Sequence, residues 1–181
     1  MRFITFTITL FLLCHFPTFA QAVFETAGSS TWNSTSSWTL ISGTDADGIP
    51  DSNDNVTIKS GHSIRITTNE AANNLVFNGG TIAFNSTRTL TVNGNVTMTA
   101  SSEISGYNNA HIFRVLGSLN VSTGNTLTVG AIKFEIQGAS TVSGTLAISG
   151  YGAKPRDFGD LTINSGATMT VGGQDLYTFN G

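Results

Sequence analysis

The feature that most constrains this chain is a short motif that recurs along it. An apolar residue, a spacer, a β-branched residue and then a glycine appear as Leu90-Thr91-Val92-Asn93-Gly94, Phe113-Arg114-Val115-Leu116-Gly117, Phe134-Glu135-Ile136-Gln137-Gly138 and Leu161-Thr162-Ile163-Asn164-Ser165-Gly166. Their starts lie 23, 21 and 27 residues apart. Each is followed by a second short alternating run: Val96-Thr97-Met98, Leu119-Asn120-Val121, Val142-Ser143 with Leu146-Ala147-Ile148, and Met169-Thr170-Val171. Alternation of apolar and polar residues is the period of a strand whose two faces see different surroundings. Glycine, asparagine or serine interrupts every run, and no 3.6-residue apolar period runs far enough for a helix. One such unit cannot bury its apolar face alone, whereas stacked units bury a continuous column.

The repeats therefore predict an all-β fold, a right-handed parallel β-helix built from pairs of short strands with corners. Val92, Val115, Ile136 and Ile163 are expected to form one inward file. Thr91, Arg114, Glu135 and Thr162 are expected to form the matching outward file. The longest interval, which contains Tyr151 to Asp157, reads as a loop bulging from the stack. An antiparallel β-sandwich is the alternative, because it too uses short strands, and Asn78-Gly79 and Asn93-Gly94 are hairpin-type dipeptides. The directional repeat favours the solenoid.

The N-terminus sets the expected compartment. Met1-Arg2 precedes an apolar run from Phe3 to Phe16, and Pro17 ends it. Thr18-Phe19-Ala20 and Ala20-Gln21-Ala22 both carry small residues at the spacing of a leader cleavage site. The run is short for a membrane span, so a signal peptide over 1–22 is expected, with cleavage after Ala22. Cys14, the single cysteine, lies within that run, and Leu13 before it is too large for a lipoprotein box. The exported chain would then hold no disulfide and no thiolate metal site. A cap and acidic loop over 23–55 and solenoid rungs over 56–181 complete the expected organisation. The chain ends at Phe179-Asn180-Gly181 without a recognisable cap, which suggests that rungs continue past it.

Charge excludes one class of partner. Charged residues are 10% of the chain and the net charge is −3, so no basic surface invites nucleic acid. Hydrophobic residues at 39% with so few charges are not the profile of a disordered chain.

Residues 31–98 carry a further pattern: Thr31-Trp32-Asn33, Ser37-Trp38, Gly48-Ile49-Pro50, Asp54-Asn55-Val56-Thr57-Ile58, Ser60-Gly61-His62-Ser63-Ile64-Arg65-Ile66, then Leu75 to Phe84 and Leu90-Thr91-Val92. This order of paired tryptophans, a proline turn and an Asp-x-Val-x-Ile strand resembles the opening of G8-type domains and of β-helical surface proteins exported by Bacteroidota. The resemblance implies an exported solenoid. Trp32 and Trp38 suit the capping of an open first rung, or alternatively a platform for stacking sugars.

The acidic segment Gly43 to Asn55 has oxygen-bearing residues at alternating positions, as a calcium loop does. Its candidate ligands are Asp45, Asp47, Ile49 through its carbonyl, Asp51 and Asp54. The core from Asp47 to Asn55 resembles one thrombospondin type 3 repeat, which implies calcium. Glycine stands at the first ligand position, and the alternative reading is an acidic turn before the Val56 strand. No other cofactor is indicated.

Catalytic constellations are sparse. Arg114 and Glu135 are expected to be rung neighbours, readable as an acid/base pair or as a surface ion pair, and no second carboxylate aligns with them. His62 and His111 have no metal-ligand partner at a usual spacing. The sequence holds no nucleophile elbow, phosphate loop or dinucleotide fingerprint. The expected function is that of a non-enzymatic, monomeric, secreted or cell-surface structural or adhesive β-solenoid. Its expected partners are glycans, matrix or cell surfaces, and no transmembrane segment is expected in the mature chain. The alternative is the N-terminal part of a polysaccharide-degrading or glycan-binding β-helix protein.

Overall fold

The computed structural model describes residues 21–108, 110–149, 155–172 and 176–179. The apolar leader and Cys14 lie outside them. The fold is an all-β parallel solenoid, and its three sheets run along the stack. Each turn of the chain contributes one strand to each sheet. In the first full turn these are Asn55–Lys59, Ser63–Ile66 and Glu70–Ala72. In the next they are Asn74–Asn78, Thr81–Phe84 and Thr89–Val92. The same three-strand cycle continues to Leu161–Ile163, Thr168–Val171 and Leu176–Phe179. Apart from the Trp38–Ser42 strand and one isolated bridge between Lys59 and Gly79, the described ladders are parallel, which excludes an antiparallel sandwich.

Period-two geometry divides the side chains as the repeats require. In the second sheet Ile64, Ile82, Ile104, Val129 and Ile148 pair in succession, and all are buried. In the first sheet Val56, Leu75, Val96 and Leu119 form another buried file. In the third, Val92, Val115 and Ile136 stack in register as expected. Phe113 and Phe134 lie beside that file with ring centroids 5.8 Å apart and planes at 21°, which adds offset stacking to their burial.

The fourth member of that file is Phe158, not Ile163. Ile163 instead follows Val142 in the first sheet and is 46% exposed on the last described strand there. The outward file is corrected in the same way: Thr91, Arg114 and Glu135 are followed by Asp157 rather than Thr162. The cause is one unusual residue. Arg156 occupies the inward position that Leu90, Phe113 and Phe134 hold on earlier turns. It is fully buried, with Nη2 donating to the Gly130 carbonyl at 3.2 Å. A motif defined by an apolar start passes over Pro155–Phe158, which is a strand and not part of a bulging loop. Residues 151–154 lie outside the described segments. The turn also has three strands rather than two. Ser102–Ser105 escapes notice because Ile104 is its one apolar residue.

The corner after the third-sheet strand explains the recurrent glycine. A Cβ on Gly117 would stand 2.3 Å from the Gly94 carbonyl oxygen, and one on Gly138 would stand 2.5 Å from that of Gly117. Successive corners therefore touch through bare backbone. Gly159, not Gly166, continues this line, with its Cβ position 2.4 Å from the Gln137 carbonyl.

The stack begins earlier than residue 56. Val23–Thr26 pairs in parallel with Asn55–Lys59, and Ser30–Thr31 with Ser63–Ile66. Trp38–Ser42 then covers the open edge by pairing antiparallel with Val23–Thr26. Trp32 is fully buried and Trp38 nearly so, packed edge to face at 4.9 Å. Both indole N–H groups are satisfied, Trp32 donating to the Pro50 carbonyl at 3.1 Å and Trp38 to the Trp32 carbonyl at 2.7 Å. These rings close the apolar column and offer no open face for a sugar.

Substitution tests this division. Val115→Asp places an unpaired carboxylate in the column and costs several kcal/mol, on the order expected for a buried charge. Asn120→Asp, at an outward position, shifts stability by about 0.5 kcal/mol or less. Denaturant midpoints measure both, and equal losses would contradict the register.

Candidate functional site

Among the described residues, two depressions gather several chemistry-bearing side chains. The first, of about 630 Å³, lies at the capped end and is lined by Gln21, Asp45, Asp51, Asn53 and Asp54 among others. The sequence of this loop builds a chain of Asx turns, in which a short carboxylate accepts from backbone N–H groups just ahead of it. Asp45 Oδ1 accepts from the N–H of Asp47 at 3.1 Å and of Gly48 at 2.5 Å. Asp47 Oδ1 accepts from Ile49 N–H at 2.9 Å, and Asp51 Oδ1 from Asn53 N–H at 2.7 Å.

Asp54 reaches inward. Its Oδ2 accepts from Asp51 N–H at 2.9 Å and its Oδ1 from Ala22 N–H at 3.1 Å. It is 4% exposed, and burial raises its carboxyl above the usual range. The two backbone bonds pull against that, and the Asp51 and Asp45 charges add to it.

The candidate calcium ligands thus share one loop, with the carboxylates of Asp45, Asp47, Asp51 and Asp54 each turned to a backbone amide. Ile49 packs against the core at the loop's inner side. Among the described residues no group of three or more His, Cys, Asp or Glu side chains is placed to hold a metal ion.

The second depression, of about 460 Å³, lies on the outward face of the third sheet and is lined by Arg114, Leu116, Glu135, Ile136, Gln137, Asp157 and Gly159. Arg114 and Glu135 are rung neighbours as expected, and Arg114 Nε donates to Glu135 Oε2 at 2.6 Å. Lys133, two residues earlier on the same strand, bonds Glu135 Oε1 at 2.5 Å. Burial alone would raise the Glu135 carboxyl; the bonds from Lys133 and Arg114 outweigh it and hold the carboxyl below its usual range. Asp157 is the next residue in this file, so a second carboxylate stands one rung from Glu135. The displaced register hid it in the sequence, and a strand pattern tolerant of Arg156 would have found it.

His62 and His111, the histidines among the described residues, take part in local bonding and packing. His111 is buried, stacked on Phe84 at 5.8 Å and edge-on to Tyr107 at 5.3 Å. His62 Nδ1 lies 2.8 Å from Thr26 Oγ1. Among the described residues no helix is long and apolar enough to cross a membrane. Compared with protein-family models, curated proteins and solved structures, the chain matches none.

Two measurements follow from these sites. Millimolar calcium separates the two readings of the loop: a rise in melting temperature that Asp47→Ala abolishes marks a bound ion, and no rise marks an acidic turn. At Glu135 the folded-state carboxyl is the stronger acid, so its contribution is present above the usual glutamate range and is lost as pH falls through the lowered value. Glu135→Gln therefore lowers stability at neutral pH, by up to about 1 kcal/mol per ion pair, and the deficit fades in acid. Thermal melts across an acidic pH series read that convergence.

Proposed function

We propose that this chain is an exported, extracellular β-solenoid with a structural or adhesive role, whose outward ladders make repeated weak contacts with glycans, matrix or cell surfaces. The observation that carries this reading is the outward file of the first sheet. Thr57, Val76, Thr97, Asn120, Thr141 and Thr162 stand on successive rungs there. Strand spacing sets such a file at about 4.8 Å per rung. From Thr57 onward it is uncharged and, Val76 apart, rich in hydroxyl and amide groups, with Glu25 one rung before Thr57, and it suits an extended polar ligand better than a small molecule. The apolar leader-like run supports export, and so does the resemblance to G8-type and Bacteroidota surface solenoids. Cohesion through packing and backbone pairing, without a disulfide, gives a stiff post on which such ladders stay in register.

A second reading, polysaccharide processing, is favoured by one observation: Glu135 and Asp157 are adjacent on a shallow face beside Arg114. The ion pairs of Glu135 favour its ionised form, which suits a base or a ligand better than a proton donor. The two readings separate in one assay. The purified chain is run through gels containing soluble polysaccharides, and the same mixtures are assayed for new reducing ends. Retardation weakened by Thr97→Lys with Thr141→Lys, and no release of reducing ends, supports the adhesive reading. Release abolished by Glu135→Gln transfers the function to the second depression.

A further inference from the structure

The sequence offers two leader junctions, after Ala20 and after Ala22, and the fold distinguishes between them. Ala22 is fully buried. Its N–H donates to the Asp54 carboxylate at 3.1 Å, and its carbonyl accepts from Asn55 N–H at 2.9 Å. Gln21 Nε2 donates to the Asn53 carbonyl at 2.9 Å. The opposing loop leaves room for these two residues. Gly43 adopts a left-handed φ of +85°, and a Cβ there would stand 2.4 Å from the Gln21 carbonyl oxygen and 2.8 Å from Ala22 Cα. Cleavage after Ala22 would remove this backbone from in front of the Val23–Thr26 strand. Asp54 would lose one of its two backbone donors and the Asn55 N–H its acceptor, an unfavourable trade for buried groups.

Cleavage after Ala20 keeps every one of these contacts. It also creates a new cation in a favourable place. Gln21 lines the first depression together with Asp45, Asp51 and Asp54, so cleavage there would add a positive charge to a residue that shares this depression with three carboxylates.

We propose that the exported protein begins at Gln21, and that the acidic loop from Asp45 to Asp54 is a clasp for its mature amino terminus. The inference rests on the export reading above. Water adds across the Ala20–Gln21 amide. The carboxylate departs with the leader on Ala20, and the nitrogen remains on Gln21 and takes up a proton as the free ammonium. The clasp then joins the residues ahead of Val23–Thr26 to the loop that precedes Asn55–Lys59. This gives the acidic segment a role that needs no metal ion.

The test uses the whole precursor, expressed with its own leader in an exporting bacterium. Intact mass and N-terminal peptide mapping of the exported product should show Gln21 first, with a free amine. A product beginning at Val23 overturns this inference and leaves export standing. Retention of Met1 overturns the export reading itself. A cyclised, uncharged N-terminal glutamine overturns the ammonium clasp. A second measurement is independent of processing in the cell. Mature chains prepared to begin at Gln21 and at Val23 are compared by thermal melting at low and high salt. The Gln21 form should melt several degrees higher, and its advantage should shrink as salt screens the ammonium. Equal melting temperatures overturn the proposal.

Discussion

Everything in this molecule depends on backbone pairing between successive turns of the chain in parallel register. A strand of three to five residues has too little surface to hold itself, and each turn leaves both its edges unpaired. The next turn satisfies one edge, and only if it repeats the same strand lengths and the same inward positions. That requirement explains the uniform sheet pairing and the narrow corner. Glycine at 117 and 138 lets the carbonyls of the previous turn approach to distances that a Cβ would forbid. The apolar column follows from the register, since a slip of one residue would turn each inward file out to water.

The stack has a problem at its first turn that pairing alone does not solve, because there is no earlier turn. The sequence between 27 and 54 meets it with a reversal of direction. Trp38–Ser42 runs antiparallel over the first strand, and the two indoles close the column beneath it. The acidic loop lies against the same end, with Asp54 tied to the backbone on both sides of it. A dense set of Asx turns makes this loop rigid with little apolar material. Capping and the turns of this loop are therefore one device, and the spacing of its aspartates suits turn geometry.

The third-sheet face shows how a small error of register moves a functional inference. Three members of its inward file and three of its outward file were legible from the repeats alone. The fourth was displaced because Arg156 stands where the pattern demands an apolar residue. Burial of a guanidinium is outside what periodicity can anticipate, since it depends on carbonyls such as that of Gly130 being aimed into the column. With Pro155–Phe158 in its place, Asp157 joins Arg114 and Glu135. A lone ion pair becomes a mixed-charge ladder.

The sequence by itself determined the class of fold, the inward identities of Val92, Val115 and Ile136, the pairing of Arg114 with Glu135, and the corner glycines at 94, 117 and 138. All of these follow from local alternation and from repetition, and both are written along the chain. Only the tertiary structure decided that each turn has three strands, that Val23 already belongs to the stack, that Phe158 rather than Ile163 completes the file, and that Ala22 is sealed beneath Asp54. Those facts depend on which distant segments come to lie side by side. That is settled by the sum of edge pairing and burial over the whole stack, and no single repeat carries that sum.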